Sequence, residues 1–105
     1  MFSFEDKTFT WVEQKNQMNI EKHGLSFQEA ALVFLDPYLV IRYDEAHSTQ
    51  DESRWKGIGV IGSDLLLSVI FTEVKGKEVR LISAREASKN EKEKYIENIS
   101  QIFGS

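Results

Sequence analysis

The chain contains no cysteine, which excludes disulfide staples, thiolate nucleophiles and cysteine-ligated zinc together. Proline occurs once, at Pro37, and no internal repeat or low-complexity linker divides the chain, so one domain over residues 1–105 is expected. No run approaches the ~20 apolar residues of a membrane span. The opening Met1-Phe-Ser-Phe-Glu-Asp-Lys7 also lacks the basic segment and apolar stretch of a secretory signal. The expectation is a cytoplasmic protein with no membrane partner. Positive charge is short too: 13 Lys and Arg against 17 Asp and Glu leave a formal net charge of -4. Overall basicity therefore cannot drive nucleic-acid binding, and any such role needs a locally cationic face.

What is present is enough for a core, since 41% hydrophobic and 29% charged residues are ordinary for a folded domain and too apolar for a disordered one. Trp11 to His23 reads as a weakly patterned helix, with Met18 and Ile20 among polar residues and Gly24 suited to the left-handed position after its end. Ser26-Phe-Gln-Glu29 is a capping box opening a second helix through Ala30, Ala31, Val33 and Phe34, which Asp36-Pro37 ends. The pattern then changes to strands at residues 38–43, 54–61, 65–72 and 78–84, rich in β-branched, aromatic and aliphatic side chains. Gly62-Ser-Asp64 and Lys75-Gly-Lys77 are hairpin-turn sequences. Ser88-Lys-Asn-Glu91 is a second capping box, and Tyr95, Ile99 and Ile102 follow at helical spacing. These signals predict an α+β fold: a short N-terminal strand, two helices, an antiparallel sheet of four main strands and a C-terminal helix.

Successive side chains of a strand face opposite sides of its sheet. Leu39, Ile41, Trp55, Leu67, Val69, Phe71, Val79 and Leu81 then share an apolar face against the helices. The other parity collects Arg42, Arg54, Lys56, Ser68, Thr72 and Arg80, a cationic face on an acidic protein. That face is equally the solvated side that any antiparallel sheet presents.

The remaining motifs are weak alone. Gly57-Ile-Gly59-Val-Ile-Gly62 matches G-x-G-x-x-G, but it lies inside a predicted strand rather than between strand and helix, so no dinucleotide cofactor is expected. Its glycines serve sheet twist or close packing. His23 and His47 stand at polar positions beside loops, where histidine is an acid–base group or a solvated cap. His47 with Asp44, Glu45, Asp51 or Glu52 would make a metal site, but no H-E-x-x-H spacing accompanies them. Trp55 and Tyr43 are aromatic enough to stack bases, and Trp55 sits on the apolar parity, which makes it structural.

Longer runs carry more. Phe9-Thr-Trp11, Lys15, the run Asn19-Ile-Glu-Lys-His-Gly-Leu-Ser-Phe-Gln-Glu-Ala30, Val33-Phe34 and Asp36-Pro37 come in that order. They are followed by Asp44, His47-Ser48, Glu52-Ser-Arg54, Gly57 to Gly59, Leu66 to Thr72, Arg80-Leu-Ile-Ser-Ala-Arg85-Glu-Ala87, Glu91 and Tyr95. Together they resemble the BrnT toxin family over nearly everything from Phe9 to Tyr95. The resemblance implies a RelE-like fold and a type II toxin that cleaves RNA; the lack of any recognisable ligand spacing adds the expectation that neither metal nor cofactor takes part. It also implies inhibition by a BrnA-type ribbon-helix-helix antitoxin, with operator DNA bound only through the complex. Carried over residue by residue, it makes Arg54, Arg80 and Arg85 phosphate ligands and His47 the candidate base, with Glu52 as alternative. His23, with Lys22 beside it, is a candidate acid or phosphate contact, and Arg42, Lys56, Thr72 and Ser83 are further RNA contacts. Two departures stand out: Val12 where the family often has aspartate, leaving Thr10 to cap the helix, and a lysine- and glutamate-rich tail after Arg85 where relatives are often arginine-rich. The rival readings are a non-catalytic subunit of a DNA-binding repressor complex and a metal-dependent enzyme built on His47.

Overall fold

The computed structural model describes residues 2–4 and 6–104 and is organised around one mixed sheet. Its elements are β1 (Phe2–Phe4), β2 (Lys7–Thr10), α1 (Glu13–His23), α2 (Phe27–Ala30) running on into a 3-10 segment (Ala31–Leu35), β3 (Val40–Tyr43), β4 (Trp55–Ile61), β5 (Leu65–Val74), β6 (Glu78–Glu86) and α3 (Lys89–Phe103). The strand order is β1-β2-β6-β5-β4-β3. Every neighbouring pair is antiparallel except β2 with β6, which is parallel. This corrects the expected antiparallel sheet of four main strands plus one short strand. The N-terminal segment is itself a hairpin, turned at Asp6 with φ 66°, and Phe9 on β2 is wholly buried, stacked on Phe4 and tilted against Phe34. Burying that ring draws β2 onto the edge of β6, beside Val79.

Both capping boxes form as the sequence predicts: the Ser26 and Ser88 hydroxyls accept from the amides of Glu29 and Glu91, whose carboxylates accept in return. The first opens only one α turn before the chain tightens into the 3-10 segment, which lies across β4. Gly59 allows this approach, because a Cβ there would stand 3.0 Å from Leu39 Cδ1 and 3.1 Å from Val33 Cβ. The G-x-G-x-x-G sequence is thus a packing device on β4, and its last glycine, at φ 62°, makes the turn to β5.

Helix α1 starts at Glu13, two residues later than expected, and closes on Gly24 at φ 69°. Thr10 does not cap it; the Thr10 hydroxyl donates to Glu78 Oε2 instead, at 2.9 Å. Its buried residues are Asn16 and Asn19, while Met18 and Ile20 are exposed. The polar face is inward because backbone groups beneath it need partners. Asn16 Oδ1 accepts from Phe27 N at 2.8 Å, Asn19 Oδ1 accepts from Ala84 N at 3.0 Å, and Asn19 Nδ2 donates to the Leu25 carbonyl at 2.9 Å.

One sheet face is the expected core, with Leu67, Val69, Phe71, Val79 and Leu81 buried against Phe9, Phe27, Ala30 and Val33. Ile41 is not part of it: β3 is an edge strand, and Ile41 remains half exposed. The other face is not open along its whole length, as alternation alone suggested. Helix α3 lies on it, where Tyr95 packs with Val40, Ile58 and Ala87, flanked by Tyr38, Leu66 and Ile99. The Tyr95 hydroxyl donates to Asp36 Oδ2 at 2.5 Å, and Asp36 Oδ2 also accepts from Val60 N, which ties α3 to β4. Ile102 lies beyond this cluster and is exposed. Among the described residues no helix is long and apolar enough to cross a membrane.

Candidate active site

The cationic residues fall into rows across the sheet. Thr72 pairs with Arg80, and continuing the β4–β5 register places Arg54, the residue before β4, beside Thr72. The next row is Arg42, Lys56, Ile70 and Ser83, and the third is Val40, Ile58, Ser68 and Arg85. Arg85 joins this face through a β-bulge. Ile70 pairs with Ser83 and Phe71 with Leu81, so Ile82 is unpaired and the alternation resets. Without it, residues 80 and 85 would face opposite sides. Arg85 also lies within β6, which runs to Glu86, and not past the strand end as expected.

Almost every cation on this face already has a carboxylate. Arg54 Nε donates to Glu52 Oε1 at 2.8 Å, and Arg80 Nη2 lies 3.6 Å from Glu78 Oε2. Glu91 collects the rest. It receives Arg85 through both terminal nitrogens at 2.8 and 3.0 Å, Lys56 Nζ at 2.8 Å, the Ser68 hydroxyl at 3.2 Å and the Ser88 amide at 2.8 Å. Burial alone would raise the Glu91 carboxyl, but the hydrogen bonds from Arg85, Lys56 and Ser88 and the Arg85 charge outweigh it. They hold the group well below the usual carboxylate range. The same pairing raises Arg85. Arg42 alone of these cations makes no ion pair among the described residues.

At the end of the sheet an open cleft of about 560 Å³ is lined by Arg80, Thr72, Glu73, Trp55, Glu52 and Asp51. Thr72 is buried, and its hydroxyl donates to the Ser53 carbonyl at 2.8 Å, so it fixes the loop before β4 and does not offer itself to a ligand. That loop, from Asp44 to Arg54, is cinched by Ser48. The Ser48 hydroxyl donates to the Asp44 carbonyl at 2.7 Å and accepts from Arg54 N at 2.8 Å, while Asp44 N donates to the Arg54 carbonyl at 2.8 Å. His47 stands on this loop with its side chain 62% exposed, and its Nδ1 donates to Asp44 Oδ2 at 2.7 Å. Asp44 is buried and also lines a smaller cleft with Arg42, Lys56, Glu91 and Lys94.

His23 and Lys22 lie off this face, and Ser83 stands at the β6 end of its second row. They line a separate cleft of about 180 Å³ between α1 and β6, with Lys15, Met18, Asn19 and Ile82. The sequence expectation of one site holding both histidines is not met. Sequence reasoning also missed two carboxylates, Asp44 as the partner of His47 and Glu91 as the partner of Arg85 and Lys56. The D-x-x-H spacing in a polar turn was the available signal for the first. For the second, the capping box already accounts for Glu91 in the sequence, and its ion pairs arise only when α3 docks on the sheet. No grouping of three or more His, Asp or Glu suited to a metal ion occurs among the described residues.

A mixed sheet with a cationic face, and a cleft lined in part by Asp51 and Glu52 of the loop that carries His47, now meets an independent finding. The family model described as "Ribonuclease toxin, BrnT, of type II toxin-antitoxin system" matches residues 11–91. The chain belongs to the BrnT family of ribonuclease toxins of type II toxin–antitoxin systems. Among solved structures it is similar to the ribonuclease toxin BrnT of Brucella abortus, with 31% identity, a TM-score of 0.64, and coverage of 79% of this chain and 99% of that one. No curated protein sequence matches. The family match ends at Glu91, so the anchor of α3 lies inside it and most of the helix lies outside.

Proposed function

We propose that this chain cleaves RNA by attack of a 2′-hydroxyl on the adjacent phosphate, without a metal ion. His47 takes the 2′-hydroxyl proton through Nε2, which is free because Asp44 engages Nδ1 and fixes the tautomer, as a carboxylate does for a general-base histidine. The 2′-oxygen bonds to phosphorus, the bond to the 5′-oxygen breaks, and the products are a 2′,3′-cyclic phosphate and a 5′-hydroxyl. Since His23 lines another cleft, the leaving 5′-oxygen takes its proton from water, and the proton held on His47 Nε2 passes back to the hydroxide so formed, which returns the imidazole to its neutral state. Arg80 and Arg54 donate to the phosphate as charge builds on it, a task suited to a planar, permanently charged fork. Glu52 holds Arg54 in place and is the alternative base. The family match supplies the ribonuclease class. The observation that carries the mechanism is the 2.7 Å bond between His47 and buried Asp44 on a loop that closes onto Arg54.

The partner is a BrnA-type ribbon-helix-helix antitoxin, which covers the open part of the cationic face and carries the pair to operator DNA. Complementary charge supports this, since an uncovered cationic face would go on meeting RNA. A second reading draws on the carboxylate matched to nearly every cation: a neutralised face suits a non-catalytic subunit of a repressor complex.

One experiment separates them. The purified chain is incubated with RNA in excess EDTA and the fragment ends are analysed. Cleavage leaving 2′,3′-cyclic phosphate, reduced at least about 100-fold in His47→Ala, is the expected result. Activity lost to EDTA and restored by a divalent ion overturns the metal-free mechanism. No cleavage by the isolated chain, with growth unaffected by the antitoxin gene at matched expression, supports the binding subunit.

A further inference from the structure

On α1, positions 15, 18, 19, 22 and 23 share one face. Asn19 is buried, whereas Lys15, Met18, Lys22 and His23 are exposed along one wall of a cleft whose other wall is Ile82 and Ser83 of β6. This stretch of β6 is an open edge, because β2 pairs only as far as Arg80. The bulge sits here, and Asn19 takes up the Ala84 N–H. On the sheet face Arg54, Arg80, Arg85 and Lys56 each contact a carboxylate and only Arg42 does not, whereas here Lys15, Lys22 and His23 all form no ion pair among the described residues. A protein of net charge -4 thus presents a local group of donors that no ion pair engages among the described residues.

We infer that this cleft is a second RNA-binding site, a subsite that grips a phosphate of the single strand away from the bond being cleaved. The inference rests on the ribonuclease reading above, and its chemistry is that of a phosphodiester backbone. Two lysines with rotatable ammonium groups follow a mobile polyanion as point charges. Ser83 and the imidazole add hydrogen bonds, and Met18 offers an apolar surface to a base. Continuity favours RNA over an acidic protein partner. Ser83 follows Arg80 by three residues on the same strand, less than about 10 Å because the bulge at Ile82 shortens the rise. One strand lying along β6 therefore reaches both places, as single-strand binders track a backbone through a cationic groove.

Substrate length tests this. Lys15→Ala and Lys15→Ala/Lys22→Ala are compared with wild type on a dinucleoside monophosphate and a 12-nucleotide RNA, and for binding of a non-cleavable 2′-O-methyl 12-mer by fluorescence anisotropy. The expected result for Lys15→Ala is unchanged dinucleotide cleavage and a raised KM, with kcat retained, for the 12-mer. The slope of log affinity against log salt should fall by about 0.7 for each lysine removed. Equal affinity and slope for all three proteins would overturn the subsite, as would a loss of the same size on both substrates. A double variant that binds the 12-mer normally but no longer holds its antitoxin would also overturn it, assigning the cleft to a protein partner. If wild type binds the 12-mer without cleaving any RNA, the catalytic reading has failed while the anisotropy series still decides the subsite.

Discussion

Arg80 is the residue on which the proposed chemistry depends most directly. Its β6 neighbours Val79 and Leu81 are buried in the core, while its own side chain is 45% exposed and touches Glu78 only at 3.6 Å. An exposed contact of that kind contributes little, so Arg80→Ala should change stability by only about 0.5 kcal/mol. Cleavage should fall roughly 100-fold, by analogy with loss of one donor to a developing oxyanion. Arg80→Lys should restore little, because it keeps the charge and loses the fork. Thermal unfolding and single-turnover cleavage measured side by side check this, and a folded alanine variant with wild-type rates removes Arg80 from the site. The face of Arg80 was legible from alternation. That of Arg85 was not, because one unpaired residue, Ile82, resets the parity and nothing in its identity announces a bulge. The roles of Asp44 and Glu91 were hidden for a different reason. Each depends on a partner brought close by loop closure or helix docking, and neither event leaves a local pattern.

Among the elements, those ended by special chemistry were the readable ones. Capping serines and the left-handed Gly24, Gly62 and Gly76 mark boundaries that the structure keeps. The inward face of α1 was unreadable because hydrophobic periodicity is the usual guide, and this helix buries asparagines that serve backbone amides. The side on which α3 packs was also unreadable, since Tyr95 and Ile99 would suit either face of the sheet. The contact between the 3-10 segment and β4 gives a prediction at this scale. Gly59→Ala puts a methyl group against Leu39 Cδ1, Val33 Cβ and the Val33 carbonyl. Backbone must yield along with side chains, so the cost should be about 1–3 kcal/mol. The urea midpoint should drop with no change in slope, while Gly57→Ala, with its nearest contact at 3.4 Å, should cost less.

For the molecule as a whole, the strongest pH dependence should come from Glu91. Its folded carboxyl is held below the unfolded value of 4.5, so its contribution is fully present above about pH 5 and is lost as the pH falls through the acid range. Glu91→Gln removes the ion pairs and should cost about 2 kcal/mol at pH 7. That is less than for a fully buried pair, because Arg85 and Lys56 remain partly in water. The gap between wild type and variant should begin to narrow below the unfolded value of 4.5 and go on narrowing as acid is added. Urea titrations at pH 7, 5 and 3.5 read this directly, and a gap independent of pH would mean that Glu91 stabilises as a cap and not as an ion. The anchor has another side. One proton on Glu91 loosens the hold on α3 and at the same moment releases two positive charges onto the sheet. Because Arg85 and Lys56 are also what depress the Glu91 carboxyl, the lock on α3 and the neutrality of the sheet beneath it hold together to pH values well below the usual carboxylate range.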